Sequence, residues 1–209
     1  MANVVSTGVG FIPVEPDTGA DHIIFAYVPS SDGTALGIGS PVAKVGTANT
    51  AKLSLGNRVA EADGLKIGQL PVVTHATAGA TNKVWGVVVG VLVDTSDFTK
   101  VHTREANKEA VVKIARVLPG RKFRVRSDAA VPAASVGLNV NLSAGASVNT
   151  TFGHSTAVVD GGNATNNATY QFKIVEIGRD PNQSDVAAAG VELIVEGNVG
   201  YDVVADAGL

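Results

Sequence analysis

Four histidines, a serine in a Gly-His-Ser setting and two nearby aspartates are the residues of this chain whose types could do chemistry. His22, His75, His102 and His154 are far apart and lack the short spacings with which imidazoles share a metal ion, so each reads as a surface or core hydrogen-bonder. Gly153-His154-Ser155-Thr156-Ala157 has the outline of a nucleophile elbow, but the final glycine of G-x-S-x-G is missing and no strand–turn–helix pattern surrounds it. Gly37-Ile38-Gly39 lacks the third glycine and the following helix of a phosphate-binding loop and reads as a turn. Asp94 and Asp97 could offer carboxylate oxygens to calcium, which usually takes six or more, so a solvated turn is the simpler reading. Asn149-Thr150-Thr151, Asn163-Ala164-Thr165 and Asn167-Ala168-Thr169 match the glycosylation acceptor pattern, which arises by chance in an Asn/Thr-rich chain. There is no cysteine, hence no thiolate nucleophile, disulfide or cysteine-ligated metal, which fits assembly in a reducing cytosol. No paired carboxylates can be nominated for glycoside hydrolysis. The expectation is a chain that is not an enzyme and holds no cofactor or metal.

Charge is the more informative signal. Nine of the 16 basic residues fall between Lys100 and Arg126. Residues 123–126 alternate apolar and basic, so in a strand Lys122, Arg124 and Arg126 share one face. Two readings follow: a solvated sheet face with Glu105, Glu109 and Asp128 as partners, or an electrostatic contact with another macromolecule. For the second, a protein surface is preferred. Only Phe123 is interleaved with the charges, and it should point inward rather than stack on a base. The net charge of −3 gives no general reason to bind nucleic acid. Trp85, the only tryptophan, reads as core ahead of an interface anchor.

The elements that must position these residues read as strands. Val and Thr are stiff at χ1 and suit a pleated surface, and 24 glycines supply tight turns between short strands. Strands are expected over residues 22–28, 42–45, 52–59 (with a hairpin turn at Gly56-Asn57), 70–75, 84–93, 111–117, 123–126, 138–142, 148–154, 170–177 and 191–195. Asp63-Gly64 and Pro119-Gly120 are turns, and residues 103–110 read as a turn or one helical turn. Residues 131–137 read as a loop with a short helical turn, and residues 160–167 as a polar loop. The longest apolar run, 84–93, is too short for a membrane helix and is broken by Gly86 and Gly90, so no membrane partner is expected. The first residues lack a basic and an apolar region, so no targeting segment is expected. Residues 1–21 carry glycines and prolines without a period and read as an extended N-terminal arm; residues 22–209 read as a single all-β domain. The fold class is therefore all-β, an antiparallel β-barrel or a jelly-roll-like β-sandwich.

The order of several segments resembles the structural cement (capsid decoration) proteins of tailed bacteriophages. Gly39-Ser40-Pro41-Val42 matches their G-x-P-V segment. Residues 70–79 and then Trp85-Gly86-Val87-Val88-Val89-Gly90 match a proline–hydrophobic stretch, an Ala/Thr/Gly turn and a Gly-Val-Val-Val-Gly strand. Val136-Gly137-Leu138-Asn139, Thr151-Phe152-Gly153-His154-Ser155 and Tyr170-Gln171-Phe172-Lys173-Ile174 follow in the family's order, and Arg179-Asp180-Pro181-Asn182 departs from its Pro-Asp-Asn order. Residues 191–195 fill the position of its last strand, so the resemblance spans roughly residues 37–198.

It implies a structural virion protein made in the host bacterial cytoplasm, bound to the capsid exterior and stabilising it. The implied partners are the major capsid protein and the chain itself, as a homotrimer ahead of a dimer, with no nucleic acid. Phe11, Ile12 and Val14 of the arm and Lys122, Arg124 and Arg126 are the candidate capsid contacts. Deleting residues 1–20 is expected to weaken capsid binding without unfolding the domain. The alternative is a head or tail fibre, or another module of the virion that binds the host surface.

Overall fold

Alternation of apolar and polar residues, together with runs of valine, dictates two kinds of strand here: some with one buried face and some buried on both. In the computed structural model, residues 3, 9–14, 23–48, 70–80, 82–92, 102–178 and 180–200 are described. The expected hairpin at 52–59, the Asp63-Gly64 turn, His22, Asp94, Asp97, Arg179 and most of residues 1–21 lie outside them.

Five strands close a barrel: β2 (Ile23–Val28), β4 (Pro41–Ala48), β5 (Pro71–His75), β6 (Gly86–Val91) and β8 (Ala110–Arg116). Their order around it is β2-β5-β4-β6-β8. All neighbours are antiparallel except β2 and β5, which close the barrel in parallel at Tyr27 and Val72. Ala26, Val28, Val42, Val73, Val88, Val112 and Ile114 pack with Leu36 and Trp85 as one apolar cluster. Gly86 sits where β6 crosses β8, and a Cβ there would collide with the Ile114 side chain and come 2.8 Å from the Ala115 carbonyl oxygen. Only glycine allows that approach.

The second unit is an open sheet of order β1-β9-β14-β13-β10, every pair antiparallel. Its strands are β1 (Ile12–Pro13), β9 (Lys122–Arg126), β10 (Asn139–Val140), β13 (Phe172–Ile177) and β14 (Glu192–Gly197). One row across it, Phe123, Val195 and Ile174, is wholly buried. This inner face packs on Val84, Val87, Ala115 and Val117 from the barrel side of the chain. Val87 thus enters one core and its neighbour Val88 the other, which is why β6 reads as a continuous apolar run and not as an alternation. Barrel and sheet therefore share a core; the fold is all-β, and it contains a closed barrel.

Two local readings change. Residues 148–154 are two short strands, β11 (Val148–Asn149) and β12 (His154–Ser155), joined by a tight turn. The Asn149 side chain accepts from the Thr151 and Phe152 amides, and Gly153 takes φ +71°. Residues 103–110 hold β7 (Thr103–Arg104), paired with β3 (Leu36–Gly37), and a turn with Asn107 at φ 60°. Gln171, beside Phe172, is buried. Its Oε1 accepts from the Leu142 amide at 2.9 Å, and its Nε2 donates to the Thr77 and Asn82 carbonyls at 2.9 and 2.8 Å. It ties the sheet to the β5–β6 connection. Gln171→Leu leaves those three backbone groups without their partner and is expected to lower stability by about 2–3 kcal/mol, read by urea denaturation. A midpoint equal to wild type would show that water replaces the amide.

Candidate functional site

The proposed contact residues separate on the sheet. Ile12 pairs directly with Arg124, and Arg124 with Ile194, so these share the outer face. Lys122 and Arg126 lie on that face too, opposite Glu196 and Glu192. Val14 follows β1 and its amide donates to the Lys122 carbonyl at 3.0 Å. Phe11 is different. It is 1% exposed, stacked on Phe172 at 4.9 Å and edge-on to Phe123 at 6.5 Å. It is a core residue and cannot also be an external contact; the expectation placing it there is corrected. The cause is the segment before it. Gly10 and Gly39, both at positive φ, let the chain cross over the 37–40 turn closely enough for the Phe11 amide to reach the Gly39 carbonyl at 3.0 Å.

The outer face is charge-paired and not simply basic. Arg124 Nε lies 3.6 Å from Glu192 Oε2, and Glu196 stands directly between Lys122 and Lys173. Two of the partners anticipated from sequence also bond away from this face. Glu109 accepts from the Tyr27 hydroxyl at 2.9 Å, and Asp128 accepts from the Ser143 hydroxyl at 2.6 Å and the Gly161 amide at 3.1 Å.

A buried polar latch lies at one end of the barrel and was not visible in the sequence. Arg104 is 2% exposed. Its guanidinium donates to the carbonyls of Thr34 (2.7 Å), Pro29 (2.7 Å) and Asp32 (2.9 Å), and through Nε to that of Lys108. The Asp32 carboxylate, 3.8 Å from Arg104, accepts from the amides of Thr34 at 2.9 Å and His75 at 3.0 Å. Burial pulls the guanidinium pKa down, opposed by the charge of Asp32. The group fastens the 29–34 turn to the 104–108 turn and to the end of β5.

Beside the latch, a cleft of about 370 Å³ opens between the end of β5 and the 142–146 loop. Thr34, His75, Ala76, Ala78, Leu142 and Ser143 are among its walls. Ser143 and His75 share the cleft, and the Ser143 hydroxyl donates to the Asp128 carboxylate at 2.6 Å. Among the described residues no three acidic or imidazole groups converge on a point that could hold a metal ion. His102 is exposed and His154 half-buried on the β12 strand.

Burial lowers the His75 pKa below its ordinary 6.5, against the pull of the Asp32 charge. The folded state thus resists protonation more than the unfolded chain. The stability this neutral imidazole confers is complete above about pH 6.5 and is lost as pH falls through the folded pKa. Acidification below about pH 6.5 is therefore expected to lower the melting temperature, with a smaller acid slope in His75→Gln; equal slopes would assign the loss to other groups. Tyr27 acts at the other extreme: burial and Glu109 push it up to about 12, so its share of stability is lost as pH rises from 10 through that value.

No known protein-family model, curated protein or solved structure matches the chain.

Proposed function

We propose that this protein is a structural component of a tailed-bacteriophage virion, one that binds the outer surface of the capsid lattice and stabilises it. The observation that carries the reading is where its polar side chains go. Arg104, Asp32, Gln171 and Asn3 each bind backbone groups of distant loops. Asn3 clamps the 185–189 turn, donating to the Asp185 and Ala189 carbonyls and accepting from the Asp185 amide. Groups that elsewhere perform chemistry here stiffen a β scaffold. Stiffness suits a protein that must hold a lattice, because little conformational entropy is lost on binding. The resemblance of its segment order to cement proteins supports the class. The outer face of β1, β9 and β14, with Ile12, Ile194 and paired charges, is the surface assigned to the major capsid protein.

Phe152 is 63% exposed at the tip of the β11–β12 hairpin and favours the second reading, a fibre or host-surface module. Copy number separates the two. Quantitative mass spectrometry of purified particles is expected to find this chain at a fixed, high ratio to the major capsid protein, whereas a few copies per particle would favour the fibre.

A further inference from the structure

The cleft between the end of β5 and the 142–146 loop has walls fixed by hydrogen bonds. On one wall the His75 amide donates to the Asp32 carboxylate at 3.0 Å, and the Ala76 amide to the Pro41 carbonyl at 3.0 Å. On the other, the Leu142 amide donates to Gln171 Oε1 at 2.9 Å, and the Ser143 amide to the Val158 carbonyl at 2.9 Å. Gln171 Nε2 in turn reaches the Thr77 carbonyl, so one buried side chain ties the two walls together. The cleft is therefore preformed, and little ordering is needed to fill it. Its volume of about 370 Å³ lies at the small end of the roughly 300–1,000 Å³ typical of small-molecule sites.

The lining sets the chemistry of a ligand. Among the described residues no Asp, Glu, Lys or Arg lines the cleft. A charged ligand would lose water there and meet no counter-charge in the walls, which is unfavourable. Ala76, Leu142 and Ala146 supply apolar contact. The polar groups complement one another. Ser143 gives its proton to Asp128, so its oxygen can still accept. Thr77 Oγ1 accepts from the Asn82 amide at 3.0 Å, so its proton can still be donated. Neither ring nitrogen of His75 bonds to a described residue. Burial keeps that imidazole neutral at neutral pH, so it offers one donor and one acceptor. Donors and acceptors are thus both on offer, and none carries a charge. A hydroxyl answers both, because it donates and accepts at once. A compact neutral molecule with several hydroxyls on a C–H frame is a sugar.

We propose that this cleft binds one neutral sugar unit, with His75, Thr77 and Ser143 bonding its hydroxyls and Ala76 and Leu142 against its C–H face. The site uses none of the residues assigned to the capsid and does not depend on that assignment.

Titration of the isotope-labelled full chain with glucose, galactose and N-acetylglucosamine, followed by amide NMR, tests this. At least one of the three is expected to shift the His75, Thr77 and Ser143 signals saturably, with a Kd on the order of 1 mM. Glucuronate and glucose 6-phosphate should bind at least about tenfold more weakly than the neutral sugar. Ala144→Trp, at an exposed position, should melt like wild type and lose the shifts because the indole fills the cleft. Thr77→Val, which removes only the donor, should weaken binding about fivefold. Methyl glycosides separate two sources of the sugar: a chain-terminal unit binds as its glycoside, and a free sugar only when unsubstituted. No saturable shift with any of the three, shifts confined to signals away from the cleft, tighter binding of the charged sugars, or an Ala144→Trp variant that binds like wild type would each overturn the proposal.

Discussion

Replacing Arg104 by alanine is expected to cost about 3–5 kcal/mol of folding stability, the range for breaking a buried, hydrogen-bonded charge. In a chain of this size that lowers the melting temperature by roughly 10–15 °C. The loss has two parts. The Asp32 carboxylate keeps its amide donors but loses its cation, and the carbonyls of Pro29, Asp32, Thr34 and Lys108 lose the donor that gathers them. Arg104→Lys separates these parts. Lysine restores the charge but offers three donors from a single nitrogen, which cannot span four carbonyls spread over two turns. It should therefore recover only part of the loss. Calorimetry of the three proteins checks this, and an alanine variant melting within a degree or two of wild type would mean that solvent satisfies the latch.

Phe11→Ala should be almost as damaging, at about 3–5 kcal/mol, because it opens a cavity between Phe123 and Phe172 in the main core. Removing residues 1–14 goes further and also deletes β1 and the Asn3 clamp on the 185–189 turn. For folding, the sequence pattern led to the opposite expectation: an arm whose loss weakens capsid binding but leaves the domain folded. The expected outcome is now a truncated protein without a cooperative thermal transition near that of wild type, followed by near-ultraviolet circular dichroism. A truncated protein melting like wild type would show that the segment only rests on the core.

These two residues also mark where the sequence stops being legible. The strands whose sides differ in polarity were readable: β9 alternates because Phe123 and Val125 face the core while Arg124 faces out, and the valine run of β6 announces burial on both sides. Arg104 looked like one more charge in a basic stretch. Three of its four carbonyl partners lie about seventy residues away, and carbonyls leave no mark on residue type. Phe11 lies among glycines and prolines with no period, and its aromatic partners are distant in the chain; the glycine before it was the sole local hint. The acidic partners of the basic face were missed for a related reason. Glu192 and Glu196 come opposite Arg126 and Lys122 only once the register of β14 on β9 is fixed, and that register is a tertiary fact.

The capsid reading is tested most directly by mixing the purified protein with expanded, undecorated capsids of its phage and imaging the particles by cryo-electron microscopy. The account predicts added density at regular lattice positions and stoichiometric occupancy, with the outer face of β1, β9 and β14 turned toward the capsid. Bare capsids, with the protein found only on tails or host cell surfaces, would contradict it.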